Sequence, residues 1–188
     1  MTDSFLKLKI GVMGSANDTL NESDRERLSD MAARLGVAIA DRDCVLITGA
    51  TSGLPDLVSR AARKRNGLTI GISPAASKQE HARRYSLPID GADVIIYTGF
   101  GLKGRNVVNI RSSDIVIIFG GSMGALNEFT IAYDEGKVIG ALEGSGGIAD
   151  HIKEIIDFSA KPTSSRLIYS AEPETLIDLC LQAFSQID

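Results

Sequence analysis

The stretch Ile115-Val-Ile-Ile-Phe119-Gly-Gly-Ser-Met-Gly124-Ala-Leu-Asn-Glu128 decides the fold of this chain. Its first half is an unbroken apolar, β-branched run, the pattern of a parallel strand buried on both faces. A glycine-rich turn follows at once, and an amphipathic helix opens on its far side. Gly120, Gly121 and Gly124 let the backbone turn its amides outward and approach a ligand with no Cβ in the way. The helix carries about half a positive charge at its N-terminus, with unpaired N–H groups aimed at the loop. Strand, loop and helix in that order outline a phosphate site, with Gly120, Gly121, Ser122, Met123, Gly124 and Ala125 as its cradle. Glu128 sits roughly one turn into the helix, and helical side chains lean toward the N-terminus, so its carboxylate is expected at the mouth of the site.

Outward from this stretch, strand and helix signals alternate without interruption. Leu8 to Met13 reads as the first strand and ends in Gly14-Ser15. Ser23-Asp-Arg-Glu26 is a capping box opening a helix to about Leu35, where Gly36 is expected to stop it. Val45 to Thr48 is a strand, followed by Gly49-Ala-Thr-Ser-Gly53 and a helix with Pro55 near its start. Leu68 to Ile72 and Val94 to Tyr97 are strands, and the polar segment between them, through Ala76, Tyr85 and Asp90, is expected to be an irregular lid or edge cover. A helix from about Lys103 to Arg111 leads into the Ile115 strand. Val138 to Leu142, a helix near Asp150 to Phe158, a short strand Leu167 to Tyr169 and a helix Pro173 to Phe184 complete the pattern. The expectation is an α/β fold: a doubly wound, mostly parallel sheet with helices on both faces, one domain spanning residues 1–188. Ligands of such a sheet bind at the carboxyl ends of its strands.

Composition narrows the function. Apolar residues make up 44% of the 188 and mean hydropathy is +0.06, an ordinary core. A net charge of −4 and an isoelectric point near 5.2 argue against a nucleic-acid or acidic-membrane partner. No apolar run is long enough to span a bilayer, and Met-Thr-Asp-Ser does not start a signal peptide, so a cytoplasmic location is expected. Cys44 and Cys180 lack metal-ligand or disulfide spacing and read as buried thiols. His81 and His151 lack neighbouring ligand patterns, so no metal site is expected.

Four strand-end loops are rich in glycine and hydroxyls: Gly14-Ser15; Gly49, Thr51, Ser52 and Gly53; Gly99 to Gly104, with Gly101; and Gly120 to Gly124. On one rim they can converge on a single ligand. Gly99-Phe-Gly101-Leu-Lys-Gly104 matches the dinucleotide fingerprint G-x-G-x-x-G, but it follows the fourth strand, and no acidic residue ends the next strand about 20 residues on. Arg105 near a helix start is disfavoured by the dipole by a few tenths of a kcal/mol. A guanidinium that grips a ligand oxyanion bidentately offsets that. Asn106 beside it is a further candidate contact, whereas Asp93 and Asp114 begin strands and read as turn residues.

At these residues the chain resembles the Lonely Guy-like (LOG or SLOG) superfamily of Rossmann-type proteins, often labelled lysine decarboxylase-like. Its pattern is an arginine, a short helix, a Ser-Asp strand start and Gly-Gly-x-Gly-Thr-x-x-Glu. Here it stands as Arg105, the helix to Arg111, Ser113-Asp114, and Gly120-Gly-Ser-Met-Gly124-Ala-Leu-Asn-Glu128. The Arg105-Asn106 pair and Gly140-Ala-Leu-Glu-Gly-Ser-Gly-Gly147 look similar to a bacterial branch akin to molybdenum cofactor carrier proteins. The resemblance implies two functions of different classes. One is hydrolysis of the N-glycosidic bond of a nucleoside 5′-monophosphate, with Arg105 and Glu128 catalytic and no cofactor required. The other is a non-catalytic carrier or sensor of a phosphorylated ligand such as molybdenum cofactor. It also implies a homo-oligomer, dimer or tetramer. Ala125 in place of the family threonine, and Gly49-Ala50-Thr51 in place of a triple glycine, depart from the enzyme pattern.

Overall fold

The computed structural model describes residues 6–16 and 22–187, and in them strand and helix alternate strictly. The elements are β1 (Lys9–Gly14), α1 (Glu22–Asp41), β2 (Val45–Thr48), α2 (Leu54–Lys64), β3 (Thr69–Ser73), α3 (Lys78–Arg83) and β4 (Val94–Tyr97). They continue as α4 (Gly101–Arg111), β5 (Ile115–Phe119), α5 (Met123–Asp134), β6 (Val138–Leu142), α6 (Gly147–Ser159), β7 (Arg166–Ser170) and α7 (Pro173–Phe184). All seven strands pair in parallel in the order β4-β3-β2-β1-β5-β6-β7. The chain winds outward from β1 to β4, returns to the centre at β5 and winds the other way. The two halves part between β1 and β5, a topological switch point where the loops at the carboxyl ends open a crevice.

The period of two along the strands feeds two cores. Ile10, Val12, Leu46, Ile115, Ile117 and Phe119 pack under α1, α2 and α7. Met13, Val116, Ile118 and Ile139 pack under α4, α5 and α6. The whole of β5 is buried, as a strand between two helical layers must be. Asp93 and Asp114 stand in the bends just before β4 and β5, the turn positions expected of them. Asp93 accepts from the Thr69 amide and hydroxyl at 2.9 Å. Asp114 accepts from the Lys9 amide at 2.9 Å and its ammonium at 2.7 Å. Cys44 and Cys180 are free and buried, and burial pushes the Cys180 thiol up to about 12. No helix among the described residues is long and apolar enough to cross a membrane.

Two local expectations are corrected. Helix α1 does not stop at Gly36 but continues to Asp41. The glycine is there for packing: a Cβ at Gly36 would lie 2.3 Å from the Val58 carbonyl oxygen and 2.8 Å from the Ala61 Cβ, so α1 and α2 cross almost backbone to backbone. The expected cap at Ser23 lies outside the described side chains. The segment between β3 and β4 is not wholly irregular, because Ser77 caps the short α3 through the Glu80 amide. His81, fully buried, bonds the Ser73 hydroxyl at 2.8 Å and the Pro88 carbonyl at 2.9 Å, which ties the segment to the sheet as an edge cover.

The Gly36 crossing makes a prediction opposite in sign to helix propensity. Alanine favours a helix interior over glycine by about 1 kcal/mol, yet Gly36→Ala should destabilise the protein by about 1–3 kcal/mol through overpacking. Urea unfolding measures this, and a midpoint above wild type would mean the helices yield at no cost.

Candidate functional site

The site forms where the β1, β2, β5 and β6 loops meet at the switch point. Ser15, just past β1, accepts from the Gly121 amide through its hydroxyl at 2.8 Å and from the Leu54 amide through its carbonyl at 2.9 Å. Gly53, at φ 79°, passes so close beneath that a Cβ there would lie 2.4 Å from the Ser15 carbonyl oxygen. Ser145, from the β6 loop, accepts from the Gly120 amide at 2.8 Å. The first amides of α6 complete the knot: Ile148 donates to the Gly121 carbonyl and Ala149 to the Gly120 carbonyl, each at 3.0 Å.

This arrangement narrows the expected cradle. The amides of Gly120 and Gly121, expected to face a phosphate, are held by Ser145 and Ser15. The open donors lie one step further on. Ser122, the residue before α5, makes no side-chain cap bond, and among the described residues nothing takes the amides of Met123, Gly124 or Ala125. The Met123 side chain is 71% exposed. The Lys103 ammonium stands 3.9 Å from where a Gly124 Cβ would be, adding a cation above the helix N-terminus.

Behind this mouth lies a small, open cleft lined by Met13, Gly14, Thr51, Pro55, Arg105 and Glu128. Arg105 projects from α4 and Glu128 from α5, and both are buried, 7% and 6% exposed. Arg105 Nη1 stands 3.8 Å from Glu128 Oε1, an ion pair too long to be a hydrogen bond. Among the described residues, Arg105 Nε and Nη1 have no hydrogen-bond partner. Gly49 makes room for the guanidinium: a Cβ there would lie 2.0 Å from Nη1 and 2.5 Å from Cζ. Asn109 Nδ2 donates to Glu128 Oε1 at 3.1 Å. Burial pushes the Glu128 carboxyl above the ordinary carboxylate range, against the pull of Arg105, Asn109 and Lys103. Burial also lowers Arg105, opposed by Glu128; a guanidinium starts so high that it stays charged.

The other candidates fall into place unevenly. Gly14 and Thr51 line the cleft, and Gly49 serves it by receiving the guanidinium. Ser52 donates to the Ala16 carbonyl at 3.1 Å. Ala125 packs beneath Gly121, where a Cβ on the glycine would lie 2.4 Å from its own. Asn106 is buried and donates to the Asn127 side chain at 2.7 Å, joining α4 to α5 rather than lining the cleft. Gly101 stays at the outer end of the sheet, its amide on the Pro74 carbonyl at 3.0 Å, and among the described residues the Gly99 to Gly104 stretch reaches the site through Lys103. Asn109 and Ser145 are missing from the sequence reading. Asn109 carried a signal, standing four residues after Arg105 on the same helical face; Ser145 carried one too, as the hydroxyl in the glycine-rich Gly144-Ser-Gly-Gly147 loop after β6.

Fold and site together define a doubly wound α/β protein with a buried arginine–carboxylate pair at its switch point. The model of the SLOG cluster4 family matches residues 7–177, and the chain belongs to that family. It is 35% identical over 136 residues to an uncharacterised protein of Archaeoglobus fulgidus, covering 72% of this chain and 80% of that one. It is similar to the molybdenum cofactor binding protein of Rippkaea orientalis, at 30% identity and a TM-score of 0.76, covering 96% of this chain and 99% of the other. It is similar also to the molybdenum cofactor carrier protein of Chlamydomonas reinhardtii, at 25% identity and a TM-score of 0.74 over 96% and 100% of the two chains.

The raised Glu128 has a consequence for stability. A carboxyl with a raised folded pKa contributes stability that is full below its unfolded value and lost as pH rises through the folded one. Glu128→Gln, which mimics the protonated form, should therefore melt at or above the wild-type temperature at pH 7–8. The difference should shrink as pH falls toward about 4, near the ordinary glutamate value. Calorimetry across that range checks it; a lower melting temperature at pH 7 would mean that the pairing with Arg105 outweighs burial.

Proposed function

We propose that this chain binds a small phosphorylated ligand across the β1–β5 switch point. The phosphate would lie on the amides of Met123, Gly124 and Ala125 beside Lys103, and the heterocycle or sugar against Arg105, Glu128 and Thr51. The observation that carries this reading is Arg105, a buried guanidinium with two donors unpartnered next to an uncapped helix N-terminus. Buried charged donors without partners are costly, and an anionic ligand supplies the acceptors they lack.

The ligand that fits best is a pterin phosphate of the molybdenum cofactor type, carried as cargo without chemical change. Its phosphate monoester suits the α5 N-terminus. Its aminopyrimidinone edge offers adjacent N–H donors to a carboxylate, and that gives Glu128 a binding role. The likeness to two molybdenum cofactor proteins over nearly the whole chain supports the same reading. The second reading, a nucleoside 5′-monophosphate hydrolysed at its N-glycosidic bond, is favoured by the Glu128–Arg105 pair. A carboxylate beside the ribose would stabilise the positive charge that develops as the base leaves, as in glycosidases.

One set of variants separates the two. As a carrier, the protein retains molybdenum after incubation with cofactor released from a molybdoenzyme. It then frees no base from any purine or pyrimidine monophosphate. Arg105→Ala should weaken retention at least tenfold, the scale of one charge-assisted hydrogen bond. Gly49→Ala should do much the same by displacing the guanidinium. Chromatography that finds free base with wild type but not with Glu128→Gln, at unchanged nucleotide affinity, would replace the carrier with the hydrolase.

We further propose that the protein acts in the cytoplasm and self-associates. Edge strand β4 supports association, since Val94 and Ile96 remain 48% and 46% exposed on one face of it. Light scattering should give a dimer or tetramer, and a monomer at high micromolar concentration would count against this.

A further inference from the structure

Asn109 is fully buried in the last turn of α4, and its side chain is incompletely used. Nδ2 donates to Glu128 Oε1 at 3.1 Å and approaches the Met13 sulfur at 3.3 Å. Oδ1 is sealed from solvent without a partner. A leucine there would fill similar space with no polar atom to strand and with a better helix propensity. For the fold alone, then, asparagine is the more costly residue. The opposite amide orientation would set Oδ1 against the carboxylate oxygen, so the ionised acid selects the one observed.

We propose that Asn109 is the positioning residue for Glu128: its amide holds Oε1 against α4, so that Oε2 is the oxygen presented to a ligand in the cleft. The inference rests on the reading of that cleft as a ligand site. Arg105 alone cannot orient the acid, because at 3.8 Å it attracts Oε1 without a directional bond. The charged groups that bear on Glu128 are Arg105 and Lys103, both from α4. From β1 and the β2 loop the cleft is walled by Met13, Gly14, Gly49 and Thr51, none of which titrates near neutrality. Asn109 is thus the neutral donor that favours the ionised acid and sets its direction.

The test follows the Glu128 carboxyl by NMR in protein carrying ¹³C-labelled glutamate, assigned with Glu128→Gln. The same samples are titrated with ribose 5-phosphate. In Asn109→Leu the Glu128 midpoint should rise by about one pH unit, a tenfold gain in proton affinity, as expected from losing a hydrogen bond to a charged group. Thermal stability should be unchanged or higher. Affinity for ribose 5-phosphate should fall most near the shifted midpoint and recover only in part at higher pH, where the acid is ionised again but no longer held; a merely structural defect would show no such pH dependence. Should the leucine variant fail to fold, Asn109→Asp keeps the shape and sets a second carboxyl against Glu128, and its midpoint should again rise. A midpoint unchanged in both variants, or lowered in either, overturns the inference. If the midpoint rises but ribose 5-phosphate binds neither wild type nor variant, the positioning of Glu128 stands and the nucleotide reading of the cleft, which places a ribose phosphate there, fails.

Discussion

Burial of the Arg105 guanidinium is the constraint around which the rim of this sheet is built. Taking a guanidinium out of water costs several kcal/mol unless opposite charge and acceptors replace the solvent. Here the replacement is partial: one carboxylate at 3.8 Å, with two donors unpartnered. Glu128 must in turn be buried to face the arginine, and Asn109 must be polar to hold the glutamate. Gly49 must lack a side chain so that the guanidinium can lie against the β2 loop. Each of these is a local cost, and together they leave a rigid, partly unsatisfied pocket. On the proposed reading, an anionic ligand would supply the acceptors that the guanidinium lacks.

Two helix N-termini lie side by side at the switch point, and the fold uses them differently. The first amides of α6 close on the Gly120 and Gly121 carbonyls, while those of α5 find no partner among the described residues. Every buried backbone donor and acceptor must find a partner, and the turn between β5 and α5 meets that demand by drawing in Ser15, Ser145 and α6. Gly147 permits the approach, since a Cβ there would lie 2.2 Å from the Gly121 carbonyl oxygen. The knot holds the open α5 terminus at a fixed distance from Arg105. The exposed ion pairs elsewhere, such as Arg34 with Glu174 and Arg42 with Asp178, contribute little by comparison. Rigidity at the site comes from backbone hydrogen bonds and from the two cores below.

The β5–turn–α5 unit was legible because its signals are local: an unbroken apolar run, glycines, then a helical period. Arg105 and Glu128 were legible for a related reason, since a cation near a helix start and an acid near a phosphate loop are each locally odd. The end of α1 was misread at Gly36, because glycine weakens a helix by only about 1 kcal/mol and packing overrides that. The packing surface, α2, is separate in sequence and adjacent only after folding. That the Gly120 and Gly121 amides are already taken was not legible for the same kind of reason: the side chain that takes the Gly121 amide lies 106 residues away and the one that takes the Gly120 amide 25.

The sequence by itself determined the fold class, the rim on which a ligand would sit and the charged pair that defines the site. All of these follow from periodicity, turn chemistry and charge within a few residues of one another. Only the tertiary structure decided which amides stay open, that Gly49 serves the arginine, that Asn106 joins two helices and that Asn109 holds the acid. Those outcomes depend on which groups compete for each hydrogen bond, and the competitors come from strands and helices that meet only when the sheet closes around its switch point.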